Sequence, residues 1–113
     1  MKKELRVRVK FFSKYDGGRT ELPKDLLSSG NYRPHFVVGS PDQKQAIADE
    51  NNVGLEDYLG VVFIKSRGSL MAEQELEASV SLLYPGVDYS ALKKEATFTI
   101  REGGKIVGNG KII

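Results

Sequence analysis

A two-residue alternation of apolar and polar side chains constrains the fold of this chain more than any other feature of its sequence. In the clearest case, four apolar side chains alternate with basic ones: Leu5, Val7, Val9 and Phe11. Residues 75–82 and 96–101 show the same period. Successive side chains of a β-strand point to opposite faces of the sheet, so this period predicts strands with one buried face.

Three further segments complete the set of predicted strands. Residues 32–39 and 59–65 are rich in β-branched and aromatic side chains, and residues 105–113 follow a Glu102-Gly103-Gly104 turn that favours a hairpin. About six short strands in 113 residues predict a single all-β domain spanning residues 1–113. A small closed antiparallel β-barrel is the expected architecture, because closure leaves no exposed sheet edge.

A short helix is expected between the strands at residues 32–39 and 59–65. The string Ser40-Pro41-Asp42-Gln43 is typical of a helix start, with a serine cap, proline in the first helical position and glutamine in the capping-box position. We therefore expect a helix from this string to about residue 50.

Two glycines, Gly108 and Gly110, lie on one face of the last predicted strand. Glycine weakens a strand, so this spacing indicates a special local requirement. One interpretation is the close approach of another backbone or a ligand. The other, which we prefer, is a bend that closes the barrel.

The sequence argues against an enzyme. It contains no cysteine, which excludes thiolate catalysis and cysteine-ligated zinc. It has no P-loop string, and the D-x-x-G match at residues 57–60 is too short to indicate nucleotide binding. His35 is the only histidine and has no nucleophile motif around it. We therefore expect no catalytic residue, no metal site and no cofactor.

Basic residues are concentrated at the start of the chain, although the net charge is only +2. A basic first strand is able to contact phosphate or an acidic partner, but a solvated strand face is the simpler interpretation. No apolar run approaches the roughly 18 residues that a membrane-spanning helix needs, and no signal-peptide pattern follows Met1. We therefore expect a cytoplasmic protein.

Three motifs in order resemble the C-terminal domain, domain three, of the elongation factor Tu family. They are GGR at residues 17–19, NYRPHF at residues 31–36 and REGGKIVGNG at residues 101–110. The likeness covers nearly the whole chain, and residues 41–58 look like an insertion into it. The resemblance implies a six-stranded antiparallel barrel that stands alone as a non-catalytic binding module, without the GTPase domain of the family.

The resemblance also implies candidate binding residues. In the family, this barrel packs against the GTPase domain and contacts the T-stem backbone of aminoacyl-tRNA. Arg19 matches an arginine near the tRNA, and Glu102 with Gly103 matches a turn that meets the T-stem. The full set of candidate contacts to a partner protein or RNA is Arg19, Arg33, His35, Tyr84, Arg101, Glu102 and Gly103.

The partner and the role of these residues have alternatives. His35 and Tyr84 replace the glutamine and the basic residue that are usual in the family, so fewer phosphates would be neutralised. We therefore expect a protein partner of the translation apparatus in preference to tRNA. Gly103 can also be explained by a turn that needs positive φ, and Arg33 or Arg101 by a role in tying the barrel ends together. A second hypothesis is a structural or regulatory adaptor outside translation, with its specificity in residues 41–58.

Overall fold

Six β-strands form a closed antiparallel barrel in the computed structural model, which describes residues 4–45 and 56–113. The strands are β1 (Glu4–Phe11), β2 (His35–Val38), β3 (Leu59–Ser66), β4 (Leu76–Leu82), β5 (Thr97–Glu102) and β6 (Lys105–Ile112). Around the barrel their order is β1-β4-β3-β2-β5-β6. The all-β closed barrel predicted from the alternation is therefore confirmed.

The barrel interior is filled by the apolar half of each alternating strand. Val7, Val9 and Phe11 of β1 are fully buried, whereas the basic residues between them remain partly or largely exposed. Phe36 of β2 stacks on Phe98 of β5 with ring centroids 4.0 Å apart. Each large apolar side chain buried in this way contributes about 1.5–3 kcal/mol, so the alternation that defines the strands also stabilises the fold.

The predicted helix does not begin at Ser40. Residues 40–43 form a turn, in which the Asp42 amide donates to Ser40 Oγ (3.2 Å) and the Gln43 amide to the Ser40 carbonyl (3.3 Å). The Gln43 side chain does not complete a capping box, because its amide donates to Glu56 Oε2 and to the Gln45 carbonyl, each at 2.8 Å. The helix prediction is wrong over this part, and its remainder, residues 46–50, lies outside the described residues. The described helical structure is one 3₁₀ turn, Lys14–Asp16.

The two glycines of β6 lie where β6 pairs with β1 and completes the barrel. Gly108 is the register partner of Phe11, and Gly110 that of Val9. A Cβ atom on Gly108 would lie 2.5 Å from the Lys10 carbonyl oxygen, and one on Gly110 would lie 2.4 Å from the Arg8 carbonyl oxygen. Close approach of another backbone is therefore the reason for both glycines, and that backbone belongs to the strand that closes the barrel.

Substitution of Gly110 by alanine should destabilise the barrel. The new methyl group would meet the Arg8 carbonyl and also Phe98 and Val9, each 2.9 Å away. Overpacking of this kind costs about 1–3 kcal/mol. We therefore expect the free energy of unfolding, measured by chemical denaturation, to fall by an amount in this range. Gly104→Ala is the matched control, because a Cβ atom there meets nothing within 4 Å and the backbone is not in the positive-φ region. Equal stability of the two variants would contradict the close approach.

Candidate functional site

The outer face of β5 is buried although the alternation assigns it to solvent. Phe98 and Ile100 point into the barrel, so Thr99 and Arg101 point outward. Both outward side chains nevertheless have no solvent exposure. Their cover comes from the connection between β2 and β3, of which residues 40–45 and 56–58 are described.

Arg101 is the centre of this cover. Its Nη1 and Nη2 atoms donate to the two carboxylate oxygens of Glu56 at 2.9 and 3.0 Å, which is the bidentate geometry of a strong ion pair. Nη1 also donates to the Tyr58 hydroxyl at 3.0 Å, and Nε donates to Thr99 Oγ1 at 2.9 Å. We call these four residues, Arg101, Glu56, Tyr58 and Thr99, the Arg101 clamp.

Electrostatics keep Arg101 in its charged form. Burial alone lowers the pKa of Arg101, but the hydrogen bond and the negative charge of Glu56 outweigh it, and the net pKa lies above the ordinary value. The Glu56 side chain is 9% exposed, so both partners are largely removed from water. A buried arginine without its carboxylate would carry an uncompensated charge, which makes the two residues dependent on each other.

Two further contacts fasten the start of the same connection to the barrel. The Asn109 side-chain amide donates to the Pro41 carbonyl at 2.8 Å, and Thr97 Oγ1 donates to the Gly39 carbonyl at 2.7 Å. The His35 ring packs edge-on against Tyr58, with centroids 5.8 Å apart. The described parts of the connection therefore lie against β2, β5 and β6 through polar contacts.

An open groove of about 660 Å³ lies between this connection and the barrel. Its apolar lining comes from the barrel and from the 83–96 segment: Val37, Val38, Leu59 and Ala91. Its polar lining includes Asp42, Gln43 and Asp57 on the connection. Val38 is 39% exposed, so the groove presents an accessible apolar side chain. We call this feature the Val38 groove.

A second polar cluster brings together two of the residues chosen from sequence, Arg19 and Glu102. Arg19 Nε lies 2.7 Å from Glu102 Oε2, and the Tyr32 hydroxyl donates to the same oxygen at 2.5 Å. The Arg19 guanidinium also lies over the Tyr32 ring, 5.2 Å from its centroid. Burial and the Glu102 carboxylate raise the pKa of Tyr32 well above its ordinary value. Arg19 and Glu102 therefore satisfy each other while about 27% and 32% of their side chains remain exposed.

The other candidate residues do not form one common surface. His35 and Arg101 are register partners on neighbouring strands, but Arg101 belongs to the buried clamp. Tyr84 is half exposed and packs over Gly60, where a Cβ atom would lie 2.3 Å from its ring. Arg33 is exposed in the segment before β2. Gly103 is an exposed turn residue with φ of 61°, as a turn requirement predicts.

Sequence reasoning missed Glu56, Tyr58 and Thr99. The alternation of the strand assigns Thr99 to the face that points to solvent. Glu56 lies in an acidic stretch that is typical of a solvated loop. No signal in the sequence near Arg101 or Glu56 indicates that these two residues form an ion pair.

The comparison with known protein families does not assign this chain to a family. No protein-family model matches this sequence. Within residues 4–45 and 56–113, no group of three or more histidine, cysteine, aspartate or glutamate side chains could hold a metal ion. In the same part of the chain, no helix is long and apolar enough to cross a membrane.

Removal of the Arg101 guanidinium should cost much more stability than removal of an exposed one. In Arg101→Met, the largely buried carboxylate of Glu56 loses both hydrogen bonds from the guanidinium, and we expect a loss of about 3 kcal/mol in the free energy of unfolding. Arg33→Met is the control, with an expected change within about 0.5 kcal/mol. Addition of Glu56→Gln to Arg101→Met should recover part of the loss. A similar loss in both single variants would contradict the clamp.

Tyr32 should make the barrel sensitive to alkaline pH. Because its pKa is higher in the folded than in the unfolded protein, its contribution is complete below about pH 10 and is lost as the pH rises above that value. We expect the free energy of unfolding of the wild type to fall above about pH 10. In Tyr32→Phe, the part of this fall that comes from Tyr32 should be absent. At neutral pH this variant should lose about 1.5 kcal/mol with the hydrogen bond to Glu102. Tyr15→Phe, at a residue that is 86% exposed, serves as the control.

Proposed function

We propose that this chain is a non-catalytic binding module of the translation apparatus, acting in the cytoplasm and recognising a protein partner. The observation that carries the proposal is the Val38 groove, held open beside the barrel by the Arg101 clamp. The relation to translation rests on the GGR, NYRPHF and REGGKIVGNG motifs and their resemblance to the elongation factor Tu family.

The chemistry of the groove favours a protein over a nucleic acid. Val37, Val38 and Leu59 provide an apolar floor, and Asp42 and Asp57 place carboxylates at its border. Carboxylates repel phosphate, whereas an apolar floor with a polar border is the usual composition of a protein interface. The expected partner surface has an exposed apolar side chain flanked by lysine or arginine, on a GTPase domain or another translation factor.

Catalysis is not part of the proposal. The His35 ring packs on Tyr58, and the carboxylate of Glu56 is engaged by Arg101 and Gln43. These contacts hold the polar groups of the region in structural roles, and a binding function uses only the shape and charge that they create.

A second candidate is a regulatory adaptor outside translation, with its specificity in residues 41–58. One observation favours it: the groove is formed by this connection and not by the turn at Glu102 and Gly103 that the resemblance assigns to RNA contact. In the two candidates the same groove binds different proteins, so the identity of the partner separates them.

A charge placed in the groove should abolish partner binding. We expect Val38→Glu to weaken binding of purified elongation factor GTPase domains at least tenfold in calorimetry, because it puts a carboxylate on the apolar floor. Val87→Glu is the matched control, since Val87 is equally exposed at 41% but does not line the groove. Binding of tRNA and of the exchange factor by full-length elongation factor Tu serves as the positive control.

Three outcomes bear on the proposal. Absence of binding to any translation factor would remove its translation part. Binding that survives Val38→Glu would reject the groove. The adaptor candidate predicts no translation factor among the ligands, together with loss of the true partner when residues 46–55 are replaced by a glycine-serine linker in a barrel that still folds.

A further inference from the structure

Cationic side chains flank β4 on the outer surface of the barrel. Arg6 and Arg8 of β1 lie opposite Ser79 and Glu77 of β4 in the antiparallel register. On the other side of β4, Lys65 of β3 is the register partner of Ser79. Neighbouring strands are about 4.8 Å apart, so the two cationic rows are separated by about 10 Å across β4.

Arg67, just after β3, completes the second row. Its backbone amide donates to the Glu77 carbonyl at 2.9 Å, which places it beside Glu77. The surface between the rows is a shallow depression of about 360 Å³ with Ser66, Ala78 and Ser79 among its lining residues. We call this surface the basic trough, formed by four cations around one carboxylate: Arg6, Arg8, Lys65, Arg67 and Glu77.

Glu77 is the shared counter-ion of the three arginines. Its carboxylate lies 3.0 Å from the Arg6 guanidinium, 3.6 Å from that of Arg8 and 3.7 Å from that of Arg67. Desolvation opposes ionisation, but the positive charges of Arg6 and Arg67 hold the pKa of Glu77 below its ordinary value. The three arginine side chains remain 64%, 42% and 81% exposed. Glu77 therefore orients guanidinium groups that remain able to bind another anion.

The local charge is larger than that of the whole chain. Four cations against one carboxylate give a net charge of +3 in the trough, whereas the complete sequence carries +2. The residues outside the trough therefore sum to a net charge of −1, so the positive excess of the chain lies in the trough. An excess of charge in one place attracts a ligand that presents several negative charges in a row.

We propose that the basic trough binds the phosphodiester backbone of RNA. Arg6 and Arg8 are two residues apart on one strand and so about 7 Å apart along it, a spacing that suits successive phosphates of an extended strand. The guanidinium fork donates two parallel hydrogen bonds to a phosphate, and Ser79 of β4 lies between the cationic rows as the register partner of both Arg6 and Lys65. The polymer lies along β4.

The lining of the trough distinguishes RNA from an acidic protein. Protein interfaces have an apolar core, commonly with aromatic anchors, whereas nucleic-acid interfaces are polar and strongly positive. The described residues that line the trough include no aromatic and no large aliphatic side chain. Without a base-stacking platform, recognition involves the backbone and not the base sequence.

This surface is independent of the Val38 groove. None of the described residues that line the groove lines the trough. The groove is lined by Val37 and Val38 of β2 and by Leu59 at the start of β3, whereas Lys65 lies near the other end of β3. Val38→Glu should therefore leave RNA binding unchanged, so failure of this inference and failure of the proposed function are distinguishable.

The test is fluorescence anisotropy of the full chain with a labelled single-stranded RNA of mixed sequence over a range of salt concentrations. Single-strand binding weakens with log salt with a slope of about −0.7 per neutralised phosphate, so four contacts give about −2.8. We expect Arg6→Gln with Arg67→Gln to weaken binding at least tenfold and to bring the slope to about −1.4. Lys93→Gln with Lys94→Gln, at two exposed lysines outside the trough, removes the same charge and should change affinity less than about twofold.

Two further measurements test whether the trough itself binds the RNA and whether it prefers RNA to an acidic polypeptide. Glu77→Gln should bind RNA more tightly than the wild type, because the arginines lose their internal competitor. Polyglutamate at equal charge concentration should compete much less well than unlabelled RNA. If the double glutamine variant unfolds, Arg8→Gln with Lys65→Gln provides the same test.

Several results would overturn the inference. They are no salt-dependent RNA binding by the wild type, equal weakening by the lysine control, weaker binding by Glu77→Gln, or equal competition by polyglutamate. The last would identify the ligand as an acidic protein.

Discussion

The ion pair between Arg101 and Glu56 determines how the connection between β2 and β3 lies on this barrel. Two opposite charges buried against an outer sheet face are tolerated only when each is fully paired, and here the Tyr58 and Thr99 hydroxyls complete the contacts of the guanidinium. Any displacement of the 56–58 segment would separate the buried Arg101 guanidinium from the Glu56 carboxylate. The pair therefore fixes the position of this segment more than it adds to stability, and the Val38 groove exists because that position is fixed.

The strands could be predicted from sequence because their cause is local. Leu5 to Phe11 alternate with basic side chains, and the structure places the two sets inside and outside the barrel as the pleat requires. The outer cover of β5 could not be predicted, because Glu56 and Arg101 are distant in sequence and nothing near either residue identifies the other. The helix expected at Ser40 was wrong for the same reason: Gln43 has the local pattern of a capping residue but makes a tertiary contact to Glu56.

The candidate site was predicted only in part. Arg19 and Glu102, which come from two distant motifs, are in contact in the structure. Their contacts are to each other and to Tyr32, within the chain itself. Arg101 was selected as a surface contact and has no exposed surface. The basic first strand was given the simple interpretation of a solvated face, and its arginines do face solvent. What the sequence did not contain was the register that places Lys65 and Arg67 across β4 from them.

The pairing of β1 with β6 joins the two ends of the strand order, and Gly108 and Gly110 let their backbones approach. Because β6 pairs with both β1 and β5, it leaves neither of them as an edge. Contacts between strands so far apart in sequence are typical of topologies that fold slowly. Until β6 is in place, β1 presents an unpaired edge of apolar and basic side chains, which is the kind of surface that joins another chain. The step that completes the barrel is thus also the step that protects the chain from self-association during folding.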